Sequence, residues 1–263
     1  MIASIENMPV LELLGVPVQA ITMEQALDAA HEAIVNRDPL QIGVVNAAKL
    51  VNMRRNETLR RDVLSSDLIL ADGAGVVWAS GLLGNPVPER VAGIDLMMGL
   101  LRRGDKHGYS VYCLGATDEV SERVAERIAA DYPNVRLVGR RNGYFSEEEE
   151  EEVAGEIAAL KPDILFIGIT SPKKEKFLAR WSKKINASVL HGVGGSFDVM
   201  AGKVRRAPIA WQRCGLEWLY RVKQEPRRLW RRYLVTNTLF CGMVLKELLS
   251  QRVGFLGSSP RSR

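Results

Sequence analysis

Short apolar runs alternate with stretches of helical periodicity along most of the chain. The runs Gln41–Val45, Asp67–Ala71, Ser110–Leu114, Val135–Val138, Ile164–Ile167 and Ser188–His191 are apolar or β-branched and four or five residues long, which suits buried strands. Helical patterns fall between them. The first spans Met23 to Asn36, with Ala26, Leu27, Ala30 and Ile34 at helical spacing and a capping box of Thr22 and Gln25 ahead of it. This alternation predicts βαβ units, and so an α/β fold on a Rossmann-like, doubly wound, mostly parallel sheet. Ser146 and Glu149 spell a second capping box. The run Glu147–Glu152 then reads as the solvated first turn of a helix, where acids suit the positive end of the dipole.

Past Gly202 the alternation stops. Pro208 and Pro226 divide the C-terminal part into helical pieces at about Ile209–Cys214, Leu216–Lys223 and Pro226–Arg252, the last opening on a proline. In that last piece Leu229, Trp230, Tyr233, Leu234, Phe240, Val244 and Leu248 form a broad apolar face, while Arg227, Arg228, Arg231 and Arg232 crowd the first two turns. Three parts are expected: an α/β catalytic domain over residues 1–202, a basic amphipathic helical appendage over 203–254, and a disordered tail over 255–263.

Charge sharpens that division. The 263 residues sum to +5, but residues 203–263 hold fourteen Lys/Arg against three Glu, a net of +11, which leaves the first 202 at −6. An acidic body with a basic tail calls for a polyanionic partner for the tail. No stretch reaches the roughly 18 apolar residues of a spanning helix, and no basic segment precedes an apolar core at the N-terminus, so neither a leader nor a membrane span is expected. Cys113, Cys214 and Cys241 are too scattered for a disulfide framework or a zinc knuckle.

The candidate chemistry lies where strands end, since ligands of open parallel sheets bind at the carboxyl ends of strands. Those exits hold Asn46, Asp72-Gly73, Gly115-Ala116-Thr117, Gly168 to Lys174, and Gly192-Val-Gly194-Gly195. Asp72-Gly-Ala-Gly75 approaches a dinucleotide fingerprint, but Trp78 stands at the third glycine position and the carboxylate would repel a pyrophosphate. Asp72 is then either a helix cap or a general base for a hydroxyl. Gly192–Gly195 is either a packed turn or a backbone cradle for phosphate or sugar. Lys173 and Lys174 open a helix where cations oppose the dipole, which suggests an anionic ligand. The three histidines are isolated and no D-x-D occurs, so no metal set is visible; His191, ending an apolar strand, reads as structural. Arg90, Arg221, Arg228 and Arg231 are the cations available to stabilise a departing diphosphate. Arg228 and Arg231 share a helix face, as a phosphate clamp or as part of a lipid-facing patch.

Taken in order, Ala71-Asp-Gly-Ala-Gly-Val-Val, Pro88-Glu-Arg-Val-Ala-Gly-Ile-Asp-Leu96, Ser171-Pro-Lys-Lys-Glu175, Gly192-Val-Gly-Gly-Ser-Phe-Asp198 and Gly215-Leu-Glu-Trp-Leu-Tyr-Arg-Val-Lys-Gln-Glu-Pro-Arg227 resemble the WecG/TagA/CpsF glycosyltransferases. The likeness covers about residues 10–250. It implies an inverting, metal-independent transferase with no cofactor. Such an enzyme moves a hexose from a UDP-sugar donor to a polyprenyl-diphosphate-linked saccharide acceptor, in the cytoplasm and peripheral to the inner face of the plasma membrane. The hexose would be of the N-acetylmannosamine type, glucose or a uronic acid, and the pathway one of cell-surface polysaccharide or teichoic acid synthesis. The resemblance further implies Asp72 as general base, Asn46 and Arg90 in the catalytic pocket, and Arg221, Arg228 and Arg231 at the diphosphate. Lys174, Glu175, Gly115, Gly194 and Gly195 join them as substrate-binding residues. Lys174 replaces the family's usual Gln and Val44 its frequent Thr, which leaves the donor sugar open; Lys174 would suit an extra anionic contact on the donor. The anionic membrane surface is the expected partner of the tail. No nucleic acid is expected, and whether the chain works as a homo-oligomer is left open. Two other readings stand beside this one: an NAD(P)-dependent Rossmann oxidoreductase, and a nucleic-acid-binding protein whose basic tail interleaves Trp218, Trp230 and Tyr233.

Overall fold

The computed structural model describes residues 3–257. A short helix α1 (Ala3–Glu6) leads into a hairpin of β1 (Val10–Leu13) and β2 (Val16–Gln19) that the apolar pattern did not single out. The hairpin shields a sheet edge: the Gln19 side-chain oxygen accepts the Ile69 N–H at 2.6 Å, and Leu13, Val16 and Val18 are buried behind it. Next come α2 (Met23–Asn36), β3 (Leu40–Val45), α3 (Ala47–Arg55), α4 (Glu57–Leu64), β4 (Leu68–Ala71), α5 (Ala74–Leu82) and α6 (Gly93–His107). The capping box of Thr22 and Gln25 is present at the start of α2.

The second half repeats the alternation with β5 (Ser110–Gly115), α7 (Asp118–Asp131), β6 (Arg136–Arg141), α8 (Glu150–Leu160), β7 (Ile164–Gly168), α9 (Lys173–Ile185), β8 (Val189–Gly192) and α10 (Ser196–Met200). The six strands β3–β8 are all parallel in the order β4-β3-β8-β7-β5-β6. This is the Rossmann-like α/β sheet. Strand residues alternate between its faces. Val111 and Cys113 bury against α2, α6, α7 and α10, whereas Tyr112 and Leu114 face α8 and α9. At the β3 end the second face is covered by α3, α4 and α5. β6 begins one residue later than the apolar run and continues through Arg140 and Arg141, because parallel pairing with Cys113 and Leu114 carries the strand past its apolar residues.

The connection after β3 leads to α3 on one face, and that after β8 leads to α10 on the other. These two strands are neighbours, so a crevice opens between their carboxyl ends.

One expected feature is corrected. Ser146 N–H donates to the Glu149 carboxylate at 2.7 Å, but α8 starts only at Glu150. Glu150 is fully buried and accepts from Arg180 at 2.8 Å and from the Trp181 indole at 3.0 Å. Part of the acidic run therefore ties α8 to α9, since a buried carboxylate needs partners.

Three helices complete the chain: α11 (Ile209–Arg213), α12 (Glu217–Gln224) and α13 (Pro226–Gly257). α13 starts at Pro226 as expected and packs on α3, with Phe240 and Val244 buried in the same cluster as Leu50, Met53 and Val76. Its backbone continues to Gly257, past the expected start of a tail at 255; residues 258–263 of that tail lie outside the described residues. No helix among the described residues is long and apolar enough to cross a membrane.

Candidate active site

β3 and β4 end side by side, and each delivers one polar residue into the crevice. Asn46 caps α3, its side-chain oxygen accepting the Lys49 N–H at 3.0 Å. Asp72 follows β4 and is pinned by its backbone N–H to the Val45 carbonyl at 2.8 Å. It does not cap α5: the N-cap is Gly73, without a side-chain hydrogen bond. Among the described residues no N–H or O–H donates to the Asp72 carboxylate, and the residue is half-buried. Burial pushes its pKa above the ordinary carboxylate value; Arg90 pulls it down, Glu217 pushes it up, and Arg221 and Lys49 pull it down. A half-buried carboxylate with raised basicity and free lone pairs can take a proton from a hydroxyl.

The charged groups acting on Asp72 fall into two clusters. Inside the body, Glu175 of α9 accepts from Lys49 of α3 at 2.8 Å and lies 3.6 Å from Lys174. Burial raises the Glu175 carboxyl, but Lys49 and Lys174 outweigh it and hold the group at about 2. Burial and then Lys49 push the Lys174 ammonium down to about 8, against the pull of Glu175 and Asp72. Its side chain lies across Gly192, where a Cβ would stand 2.6 Å from Lys174 Cδ. The cation that reads in sequence as an anion contact is thus buried and answered by carboxylates of the protein itself. Its neighbour Lys173 donates to the Phe145 carbonyl and sits 4.0 Å above the Phe145 ring, which holds down the loop before α8.

The other cluster joins body and C-terminal helices. Arg90 donates to Glu217 of α12 at 3.0 Å, and Arg221, one turn further along α12, lies 3.8 Å from the same carboxylate. Arg90 also comes within 3.7 Å of Asp95, which takes a two-pronged contact from Arg206 at 2.6 and 2.7 Å. The approach of α12 is close. Gly215, at φ +72°, sits where a Cβ would stand 2.6 Å from the Cβ of Ala74, at the start of α5. Only glycine meets both conditions.

Asp72, Asn46, Arg90, Lys174, Glu175 and Arg221 therefore belong to one neighbourhood. The remaining candidates make no side-chain contact with it among the described residues. Gly115 ends β5 at φ +137°, with a Cβ position 2.5 Å from the Gly168 carbonyl carbon, so its need for glycine is one of packing between strand ends. Gly194 and Gly195 form the turn after β8, and the Gly194 N–H already donates to the Ile167 carbonyl at 3.2 Å. Arg228 is exposed and paired with Glu225, the residue between α12 and α13, and Arg231 is exposed beside it. Among the described residues no ion pair ties either to the Asp72 neighbourhood. His191 is structural: fully buried, its pKa lowered to about 4 by burial, with Nε2 3.0 Å from the Gly93 carbonyl.

The model of the "Glycosyl transferase WecG/TagA/CpsF family" matches residues 11–254, nearly the whole chain. The chain belongs to this family. It is similar to an N-acetylglucosaminyldiphosphoundecaprenol N-acetyl-beta-D-mannosaminyltransferase of Bacillus spizizenii, at 37% identity over 73% of this chain and 74% of the relative. Proteins of the same name from Staphylococcus aureus (32% identity, 86% of this chain and 89% of the relative) and Bacillus subtilis (39%, 71% and 72%) are similar as well. The protein is thus a glycosyltransferase, and the oxidoreductase reading of the Asp72–Gly75 turn falls.

Two further residues of the Asp72 neighbourhood carry no clear mark in the sequence. Lys49 sits in an ordinary amphipathic helix with nothing local to single it out. Glu217 lies within the Gly215–Arg227 motif, where it is one of two carboxylates among three cations and nothing local separates it from Glu225.

Proposed function

We propose that the protein transfers an N-acetylmannosamine-type hexose from a UDP donor to N-acetylglucosaminyl-diphosphoundecaprenol, with inversion and without a metal, at the inner membrane surface. The observation that carries this is Asp72, a carboxylate of raised basicity, free of hydrogen-bond donors, at the strand-end crevice and flanked by Arg90 and Arg221. Its position supports a single displacement. The acceptor hydroxyl attacks the anomeric carbon from the side opposite UDP and its proton passes to Asp72. The bond from that carbon to the UDP oxygen breaks, and the electron pair leaves with UDP. Arg90 and Arg221 stabilise the charge that develops on the diphosphate. The activity for which the relatives are named supports the choice of donor sugar and acceptor. A neutral sugar also suits Lys174, whose charge Glu175 already answers.

The C-terminal helices support peripheral docking. Trp230, Leu234, Leu245 and Leu249 are exposed along one stripe of α13, at least two-fifths accessible each, and Arg227, Arg228, Arg231 and Arg232 surround its first turns. A helix with an exposed apolar stripe and a basic end fits an anionic bilayer surface.

The test is transfer from UDP-N-acetylmannosamine to a lipid-diphosphate N-acetylglucosamine acceptor, with the anomeric linkage read by NMR. Asp72→Asn is expected to lower turnover by about 10²–10⁴-fold while UDP binding and the melting curve stay as in the parent. An Asp72→Asn protein with full turnover would remove the base, and a retained anomeric configuration would remove the single displacement.

A further inference from the structure

Glu217 is out of keeping with its surroundings. It lies at the start of α12, in a region recruited for positive charge, and is held at 17% side-chain exposure between Arg90 and Arg221. It reaches this place because Gly215 lets the chain pass against Ala74, beside the Asp72-Gly73 turn. Every charged group around it is accounted for. Arg90 comes from the loop before α6, Asp95 from α6, Arg206 from the segment ahead of α11, Arg221 from α12 itself, Asp72 from the end of β4 and Lys49 from α3. The two cations nearest Glu217 are the two nearest Asp72 that a diphosphate could use. A carboxylate with two oxygens, one 3.0 Å from Arg90 and the other 3.8 Å from Arg221, occupies them much as one phosphate group would.

Resting on the reading that a UDP donor binds beside Asp72, we propose that Glu217 is a positioning residue. It is delivered by α12, holds the Arg90 guanidinium at the crevice, and serves as a built-in counter-anion whose place between Arg90 and Arg221 the donor diphosphate takes over. Without an anion there, two arginines crowded at a half-buried site would repel each other and turn to solvent. With Glu217 they stay in place, and the incoming diphosphate exchanges one anion for another. The contact also makes the site depend on α12, since the shorter of the two ion pairs of Arg90, that to Glu217, forms only where the C-terminal helices have docked, and Asp95 at 3.7 Å is the other. Donor binding would then loosen Glu217, while Gly215 against Ala74 and Arg206 on Asp95 keep α12 in place.

The two roles of the carboxylate, holding and competing, separate by substitution. Glu217→Gln keeps an oxygen for Arg90 but removes the competing charge; Glu217→Ala removes both. Calorimetric titration of the full chain with UDP and, separately, with inorganic pyrophosphate is expected to show Glu217→Gln binding about three- to tenfold tighter than the parent. Glu217→Ala should bind more weakly than Glu217→Gln, because Arg90 is no longer held. A residue of merely structural value would not improve binding when neutralised. Equal or weaker binding by Glu217→Gln, with an unchanged melting curve, overturns the proposal, as does failure of both ligands to bind either protein. Pyrophosphate binding without UDP binding would sink the UDP-donor reading instead, and the comparison of the variants on pyrophosphate would still decide the role of Glu217.

Discussion

Asp72 stands between two clusters of the same make-up, one carboxylate with two cations, that differ in where their members come from and how far water reaches them. Lys49, Lys174 and Glu175 belong to the body, and their side chains are 10%, 9% and 6% exposed. Arg90, Glu217 and Arg221 bridge body and C-terminal helices at 20%, 17% and 43%. In the first, the charges have left water and depend on one another, so removing one strands the others. In the second, solvent screens the pairs and the arginines are exchangeable between partners. The buried cluster sets the ground on which Asp72 sits. The more exposed one is suited to respond to an anion.

The largest effect should come from breaking the buried cluster. Glu175→Gln leaves Lys49 and Lys174 facing each other without the carboxylate that pairs with both, and is expected to cost about 3–5 kcal/mol of stability by denaturant titration. Because the Glu175 carboxyl is held at about 2 against an ordinary 4.5, its contribution is full above pH 4.5 and is lost as pH falls toward 2. Parent and variant should therefore converge in that window. A loss no larger than that of Glu217→Gln would erase the distinction between the clusters.

An intermediate effect is expected from Gly215→Val, which blocks the approach of α12 to Ala74. Transfer should fall tenfold or more, about 1.4 kcal/mol or above, while global stability moves less than in Glu175→Gln, since the substitution acts on docking and not on the sheet. Hydrogen exchange confined to residues 215–225 would report the undocking. Unchanged exchange and turnover would show that the second cluster does not depend on that contact.

The last effect is one of pH and concerns Lys174. Burial has lowered its pKa from 10.5 to about 8, so the folded protein gives up that proton earlier than the unfolded chain. Stability should rise with pH across that window, from about 8 to 10.5. Lys174→Gln should abolish that rise while leaving the low-pH behaviour of Glu175 paired with Lys49. Identical pH profiles would mean that the ammonium is not confined as described.

Much of the fold was legible in the sequence. Apolar runs of four or five residues announced six strands, because central parallel strands bury both faces. The strand-end residues Asn46 and Asp72 stood out, because each is a polar side chain directly after a buried apolar strand. Other features were not legible. The hairpin at Val10–Gln19 has its role only in covering the β4 edge. Glu150 and Lys173 looked like solvated charge and an anion contact, and each is occupied by a neighbour 28 to 31 residues away.

The order of strands and helices, the charge imbalance between the halves and the polar residues at the strand ends are local or additive properties, and the chain by itself determined them. Pairing across the fold is neither. That Asp72 is not a cap, that Lys174 turns inward to Glu175, and that α12 returns 127 residues later to lay Glu217 on Arg90 were decided only by tertiary structure. Burial and the partner at hand, and not residue type, determine what a charge does.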